Sequence, residues 1–203
     1  AAMWSGKNEK SAFEVAAMSN KKAFFKCRNC EQEFETKICH VADCIGNGNT
    51  GCPVCAGRKV VPGINDLASQ CPKAAAMLSE KDKHIAFEVT AGSHRRATFV
   101  CPNCKQEFEA EVCCVTRSVN NDKTGCPVCA GKKVVPGIND LASKCPKAAA
   151  MWSRKNKKTA SEVVAKSKEH AIFVCSNCKQ EFESAIYSVV NSVNNGHTGC
   201  PVC

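Results

Sequence analysis

Aromatic residues make up only 6% of this 203-residue chain, with one tyrosine and two tryptophans. So thin a supply leaves few flat faces on which unpaired bases could stack. Apolar stretches run to only a few residues, which excludes a membrane-spanning helix, and no secretory leader is visible. The chain is therefore expected in a reducing compartment (cytoplasm, nucleus or a virion) rather than outside the cell. Histidine is scarce as well. His84, His94, His170 and His197 have no periodic partner and read as surface residues. No spacing resembles a catalytic triad, and Glu107, Glu109 and Glu111 alternate along one strand face with no paired base. These absences argue against an enzyme and against a small-molecule substrate.

Cysteine is abundant, with eighteen residues. Twelve form six CxxC pairs that recur every 74 residues: Cys27/Cys30, Cys52/Cys55, Cys101/Cys104, Cys126/Cys129, Cys175/Cys178 and Cys200/Cys203. In each copy 21 residues separate the two pairs. Two such knuckles can set four thiolates tetrahedrally around one zinc ion, whereas structural disulfides rarely show this pattern. An iron–sulfur cluster does not require copying at a strict interval. Pairing neighbouring knuckles closes short loops and uses all six pairs; the shifted pairing orphans Cys27/Cys30 and Cys200/Cys203. Three structural zinc ions are expected, bound as Cys27/Cys30/Cys52/Cys55, Cys101/Cys104/Cys126/Cys129 and Cys175/Cys178/Cys200/Cys203.

Residues 51–79 recur at 125–153 with three changes, Arg58 to Lys132, Gln70 to Lys144 and Leu78 to Trp152. The repeats are read as 1–55, 56–129 and 130–203, and both ends of the chain look like cuts through a longer array. Pro62-Gly63 marks a turn, Asn65 or Asp66 can cap a short helix over Leu67-Ala68-Ser69, and Pro72 suits the start of a second helix running to Leu78. Phe87-Glu88-Val89 reads as a short strand. Ala97–Val100 leads into a knuckle and Glu107–Val112 leads out with period two, a β-hairpin with the knuckle at its tip. Asn120-Asn121-Asp122 reads as the loop back to the second knuckle. The fold class is small α+β zinc-stabilised repeats, each a hairpin and short helices on one metal.

The pattern Cys126-Pro-Val-Cys129, Pro136-Gly137-Ile138-Asn139-Asp140-Leu141, Trp152 to Asn156, Cys175/Cys178 and Gly199-Cys200 resembles the tandem zinc-ribbon or treble-clef repeats of bacteria, large viruses and protists. The resemblance covers nearly the whole chain. Where that family usually has Gly-His-x-Trp after the second cysteine, this chain has Glu31-Gln32-Glu33-Phe34, Lys105-Gln106-Glu107-Phe108 and Lys179-Gln180-Glu181-Phe182. The change removes a histidine that could act as an extra ligand. The resemblance implies an accessory module with a nucleic-acid role.

The formal charge is +9. Twelve thiolates with three Zn²⁺ add −6, leaving about +3, which is unremarkable for this length. Basic residues concentrate in the third repeat, at Lys147, Arg154, Lys155, Lys157, Lys158, Lys166 and Lys168, and a phosphate-binding face is expected there. The alternative is a module bridging proteins in a larger assembly such as a virion. Phe25, Phe99 and Phe173 occupy equivalent places and are expected in the hairpin cores. Cys71 and Cys145 are expected to be small buried apolar residues. Cys39, Cys44, Cys113 and Cys114 read as spare thiols, because the repeats do not supply four donors consistently at those places.

Overall fold

A computed structural model describes residues 2–203. Each repeat contains an antiparallel hairpin: β1 (Lys22–Lys26) with β2 (Glu33–Lys37), β3 (Arg96–Val100) with β4 (Glu107–Glu111), and β5 (His170–Val174) with β6 (Glu181–Ala185). The alternation in Lys-Ala-Phe-Phe-Lys buries Ala23 and Phe25 and exposes the rest of β1. Phe25 lies directly opposite Phe34, and Phe173 opposite Phe182. Each of these pairs stacks with ring centroids 5.9 Å apart. Trp4 and Trp152 meet Phe25 and Phe173 edge to face, at 5.5 and 5.4 Å. Phe25, Phe99 and Phe173 are all buried, so the expected hairpin core is found.

The Trp-x-x-x-Asn motif acts on the strand edge. The Asn156 side chain donates to the Ile172 carbonyl at 2.7 Å and accepts from its N–H at 2.9 Å. Asn8 does the same to Phe24. Each amide thus closes both hydrogen-bonding groups of one strand residue, as a neighbouring strand would. In the middle repeat Asp82 stands at this place and accepts from the Thr98 N–H at 2.7 Å.

A nine-residue helix follows each hairpin: α1 (Ile38–Gly46), α4 (Val112–Asn120) and α7 (Ile186–Asn194). Sequence reading missed these helices, and the start of the loop expected at Asn120 is the last turn of α4. Their β-branched residues, with serine and asparagine in α4 and α7, are poor for helix. Two features compensate. Val112, Val115, Thr116 and Val119 form one buried stripe on α4. The first N–H groups also have partners: Val112 donates to the Arg95 carbonyl at 3.1 Å and Cys113 to Ser93 at 2.9 Å. Ile186 and Tyr187 repeat this with Glu169 and Ser167. The chain ahead of each hairpin thus does the work of an N-cap side chain, which these helices lack.

Beyond the second knuckle come α2 (Leu67–Gln70) and α3 (Pro72–Ala75), matched by α5 (Leu141–Lys144) and α6 (Pro146–Ala149). Asp66 and Asp140 are the N-caps, and both are fully buried. The helix expected to reach Leu78 stops at Ala75, because Leu78 leaves it to bridge Phe99 on β3. Phe87-Glu88-Val89 is not a strand. Glu80–Phe87 is a 3₁₀ helix, and Val89 donates back to Ile85 at 3.2 Å while its carbonyl accepts from Leu67 at 2.8 Å. Local i→i+3 and i→i+4 bonds, with the Leu67 N–H, meet the backbone's needs there without a neighbouring strand.

Asp140 accepts from the Ser143 N–H (2.9 Å), the Ser143 hydroxyl (2.7 Å) and the Gly137 N–H (2.6 Å). Burial raises its carboxyl pKa, but the Ser143 and Gly137 bonds outweigh burial and hold it below the ordinary aspartate value. A group depressed in this way stabilises the fold above its unfolded pKa, and that contribution is lost as pH falls through the folded value. Asp140→Ala is expected to cost about 1–3 kcal/mol, measured as a lower thermal midpoint of the zinc-loaded chain.

The chain packs as two compact units. One comprises the residues up to Phe99 with Glu109–Asn121; the other comprises Val100–Phe108 with Asp122–Cys203. In the first, Met3, Phe25, Phe34, Ile38, Val41 and Val54 surround Cys27 and Cys52. In the second, Leu141, Met151, Phe173, Phe182, Ile186 and Val189 pack with Cys175.

Candidate metal centres

The hairpin delivers the first pair of each site. After Cys27 the chain turns so tightly that Glu31 donates back to the Cys27 carbonyl at 3.0 Å and Cys27 donates to Gln32 at 2.9 Å. The residue after the second cysteine takes a left-handed backbone in all three copies: Glu31 (φ 57°), Lys105 (59°) and Lys179 (63°). The second pair is set by Thr-Gly-Cys. Thr50, Thr124 and Thr198 hydroxyls accept from the N–H of Cys52, Cys126 and Cys200 at 3.2, 3.3 and 3.2 Å. Gly199 has φ 70°, and a Cβ there would lie 3.2 Å from the Ser192 Cβ on α7, so a side chain would be both strained and crowded.

All three predicted ligand sets converge. Sulfur–sulfur distances are 3.5 Å for Cys27–Cys55, 3.6 Å for Cys30–Cys52 and 3.6 Å for Cys101–Cys129. They are 3.7 Å for Cys104–Cys126, 3.7 Å for Cys175–Cys203 and 3.8 Å for Cys178–Cys200. A tetrahedron with Zn–S bonds of about 2.3 Å has edges of about 3.8 Å. These separations far exceed a disulfide bond. The thiols therefore fit a zinc ion, and each centre holds one structural zinc through four cysteines. The second pairs lie with their neighbours in sequence; no set mixes Cys55 with Cys101.

The thiols in each set are not equivalent. Burial raises Cys27, but N–H groups of Cys30 and Asn29 aimed at its sulfur more than offset this and bring it down to about 6. Cys101 behaves alike, and Cys175 reaches about 6 chiefly through the Cys178 N–H. The last cysteine moves the other way. Burial and hydrogen bonds with Cys101 and Cys104 push Cys129 up to about 12, and hydrogen bonds with Cys178 and Cys175 do the same to Cys203. Cys55 is raised for the same reasons as Cys129. A thiolate is thus available near neutral pH at Cys27, Cys101 and Cys175, and a cation must displace the proton held at Cys55, Cys129 and Cys203.

The buried pair Cys71 and Cys145 lies as expected, each thiol facing an asparagine carbonyl oxygen, Asn120 or Asn194, at 3.8 Å. The seven basic residues of the third repeat are all exposed. Arg154, Lys155, Lys157 and Lys158 share one loop. Lys155 pairs with Glu181 at 2.5 Å and Lys158 with Glu169 at 3.4 Å. Lys166 lines a groove beside Cys104 and Cys129 with Lys144, while Lys147 lines a different groove near Cys175. Glu111 departs from expectation. It has a partner, its carboxylate accepting from His94 Nδ1 at 2.8 Å, and Cys113 lies 3.5 Å from the same carboxylate. Sequence reading missed His94 because its meeting with Glu111 depends on the hairpin's register, which spacing alone does not give.

Hairpin, knuckle, helix and second knuckle around four thiolates, three times over, define a class: tandem small α+β repeats each organised by one structural zinc. The family described as a probable treble clef zinc finger domain matches residues 1–58, 75–132 and 148–203, and the chain belongs to it. It is also similar to an uncharacterized protein of Acanthamoeba polyphaga mimivirus, with 24% identity over 203 residues. That match covers 93% of this chain and 47% of the viral protein, so the chain spans about half of that relative's length. Among the described residues no helix is long and apolar enough to cross a membrane.

Proposed function

We propose that this array binds nucleic acid without catalysis, through phosphate contacts made by exposed basic side chains of the third repeat. One observation carries the reading: all seven predicted basic residues are exposed, and two of them, Lys155 and Lys158, are held by acids. Lys147, Arg154, Lys157, Lys166 and Lys168 remain for phosphate. The paired phenylalanines of the hairpins are buried and unavailable for base stacking, and the three nine-residue helices carry a single arginine between them, Arg117, for reading base edges. Binding on this reading is weakly sequence-selective and set by charge. Four thiolates fill each zinc's coordination sphere, which supports a structural rather than a hydrolytic role for these ions.

The test is a salt-dependent titration of the zinc-loaded chain against unrelated DNA and RNA sequences. Replacing Arg154, Lys157 and Lys168 by glutamine is expected to weaken binding equally on all of them. For duplex DNA it should flatten the salt slope by about 2–3. No measurable affinity at low salt would overturn the reading. In that case a second reading takes its place, a module that bridges proteins in an assembly such as a virion. It is favoured by apolar side chains left in water, Phe13 at 91%, Met18 at 69% and Phe87 at 56% exposure.

A further inference from the structure

We propose that His94, Glu111 and Cys113 form a further metal site, separate from the three four-cysteine centres and of the open, three-ligand kind. Their ligand atoms gather where the chain hands over from β4 to α4. His94 Nδ1 lies 2.8 Å from Glu111 Oε2, Cys113 Sγ lies 3.6 Å from that nitrogen, and Sγ lies 3.5 Å from that oxygen. Tetrahedral zinc bound by one sulfur, one nitrogen and one oxygen has sulfur edges of about 3.5 Å and a nitrogen–oxygen edge of about 3.3 Å. Both sulfur edges are already in place. The third requires the histidine and glutamate to part by about half an ångström. The two side chains are 83% and 38% exposed, so they have room to do so.

The scaffold under the trio is built. Cys113 donates its N–H to the Ser93 carbonyl at 2.9 Å and Val112 donates to Arg95 at 3.1 Å, which ties the backbone next to His94 to the first turn of α4. Cys113 is buried, which fixes the sulfur. The neighbouring cations are engaged elsewhere, Arg95 with Glu88 at 2.9 Å and Arg96 with Glu109 at 3.6 Å. The arrangement belongs to the middle repeat alone. One period away the three places hold Asn20, Lys37 and Cys39, and in the other direction Lys168, Ala185 and Tyr187. Shared repeat architecture therefore does not account for it.

A nitrogen–oxygen–sulfur set selects a borderline divalent cation of the zinc or cobalt kind over magnesium or calcium. Binding would release the Cys113 proton to solvent and place the cation on the thiolate, the carboxylate and the imidazole nitrogen. With three protein ligands the fourth position stays open to water or to a donor from another molecule.

The experiment titrates cobalt(II) into the full chain with its four-cysteine centres loaded with zinc, which cobalt does not displace readily. The expected result is one additional equivalent with a thiolate-to-cobalt charge-transfer band and tetrahedral d–d absorption. His94→Ala and Cys113→Ser should each weaken that binding by at least about tenfold while the zinc content stays at three. His94 is exposed, so its replacement leaves the fold intact even if the cysteine variant does not fold. Cys114→Ser and His84→Ala should leave the band unchanged. Absence of the band under excess cobalt at neutral pH overturns the proposal. So does a band that survives His94→Ala or is lost with Cys114→Ser.

Discussion

Stripping zinc with a strong chelator is expected to unfold the chain at neutral pH, and returning zinc to refold it. Each repeat holds a small core whose net contribution is on the order of 3–5 kcal/mol. A structural zinc centre contributes apparent free energy on the order of 10–16 kcal/mol. The ligands are also part of the cores: Cys27 and Cys52 sit among the buried residues of the first, and Cys175 is fully buried in the last. Without metal, Cys55, Cys129 and Cys203 keep their protons while the thiols of each set crowd together at under 4 Å. Far-ultraviolet circular dichroism against metal content follows the transition. A chain that keeps its helical and hairpin signal after complete zinc removal would show that packing alone suffices.

Replacing a single ligand should be nearly as severe but local. Cys104→Ser is expected to lower zinc content from three to two, unfold the middle hairpin and knuckle, and spare the third repeat. The core around Phe173, Ile186 and Val189 contains no ligand of the middle centre. The sequence supplies its own reporters. Tryptophan occurs only at Trp4 and Trp152, packed on Phe25 and Phe173, while the middle repeat has Leu78 at that place. Tryptophan emission should therefore stay native in Cys104→Ser as the zinc count falls. Loss of the Trp152 signal with this change would mean that the repeats fold as one cooperative body.

The metal centres were legible because zinc ligation is written in spacing, and CxxC pairs need no knowledge of the fold to be recognised. The Asp66 cap and the buried phenylalanines were legible for a similar reason, since each rests on a few adjacent residues. The helices after the hairpins were not. Val112–Asn120 has weak intrinsic preference and no capping side chain, and it forms because carbonyls nearly twenty residues earlier receive its first N–H groups. Phe87–Val89 misled for the opposite reason: its alternating pattern looked like a strand, but a 3₁₀ turn from Glu80 already meets its backbone needs. His94 and Glu111 stand 17 residues apart and meet only once the hairpin closes.

Burial within each zinc centre is lopsided. In the first, Cys27 and Cys52 are buried and Cys55 is exposed; in the second, Cys101 and Cys126 are buried and Cys129 is exposed; in the third, Cys175 is buried and Cys203 exposed. An incoming chelator or thiol meets that last cysteine at the surface, the one whose proton is held most tightly, and in the third centre Cys178 is exposed beside it. Tight retention at equilibrium can therefore coexist with a defined door for exchange: acid or an oxidant acting on the outer sulfur would start release there, one bond at a time, while the inner pair keeps its grip.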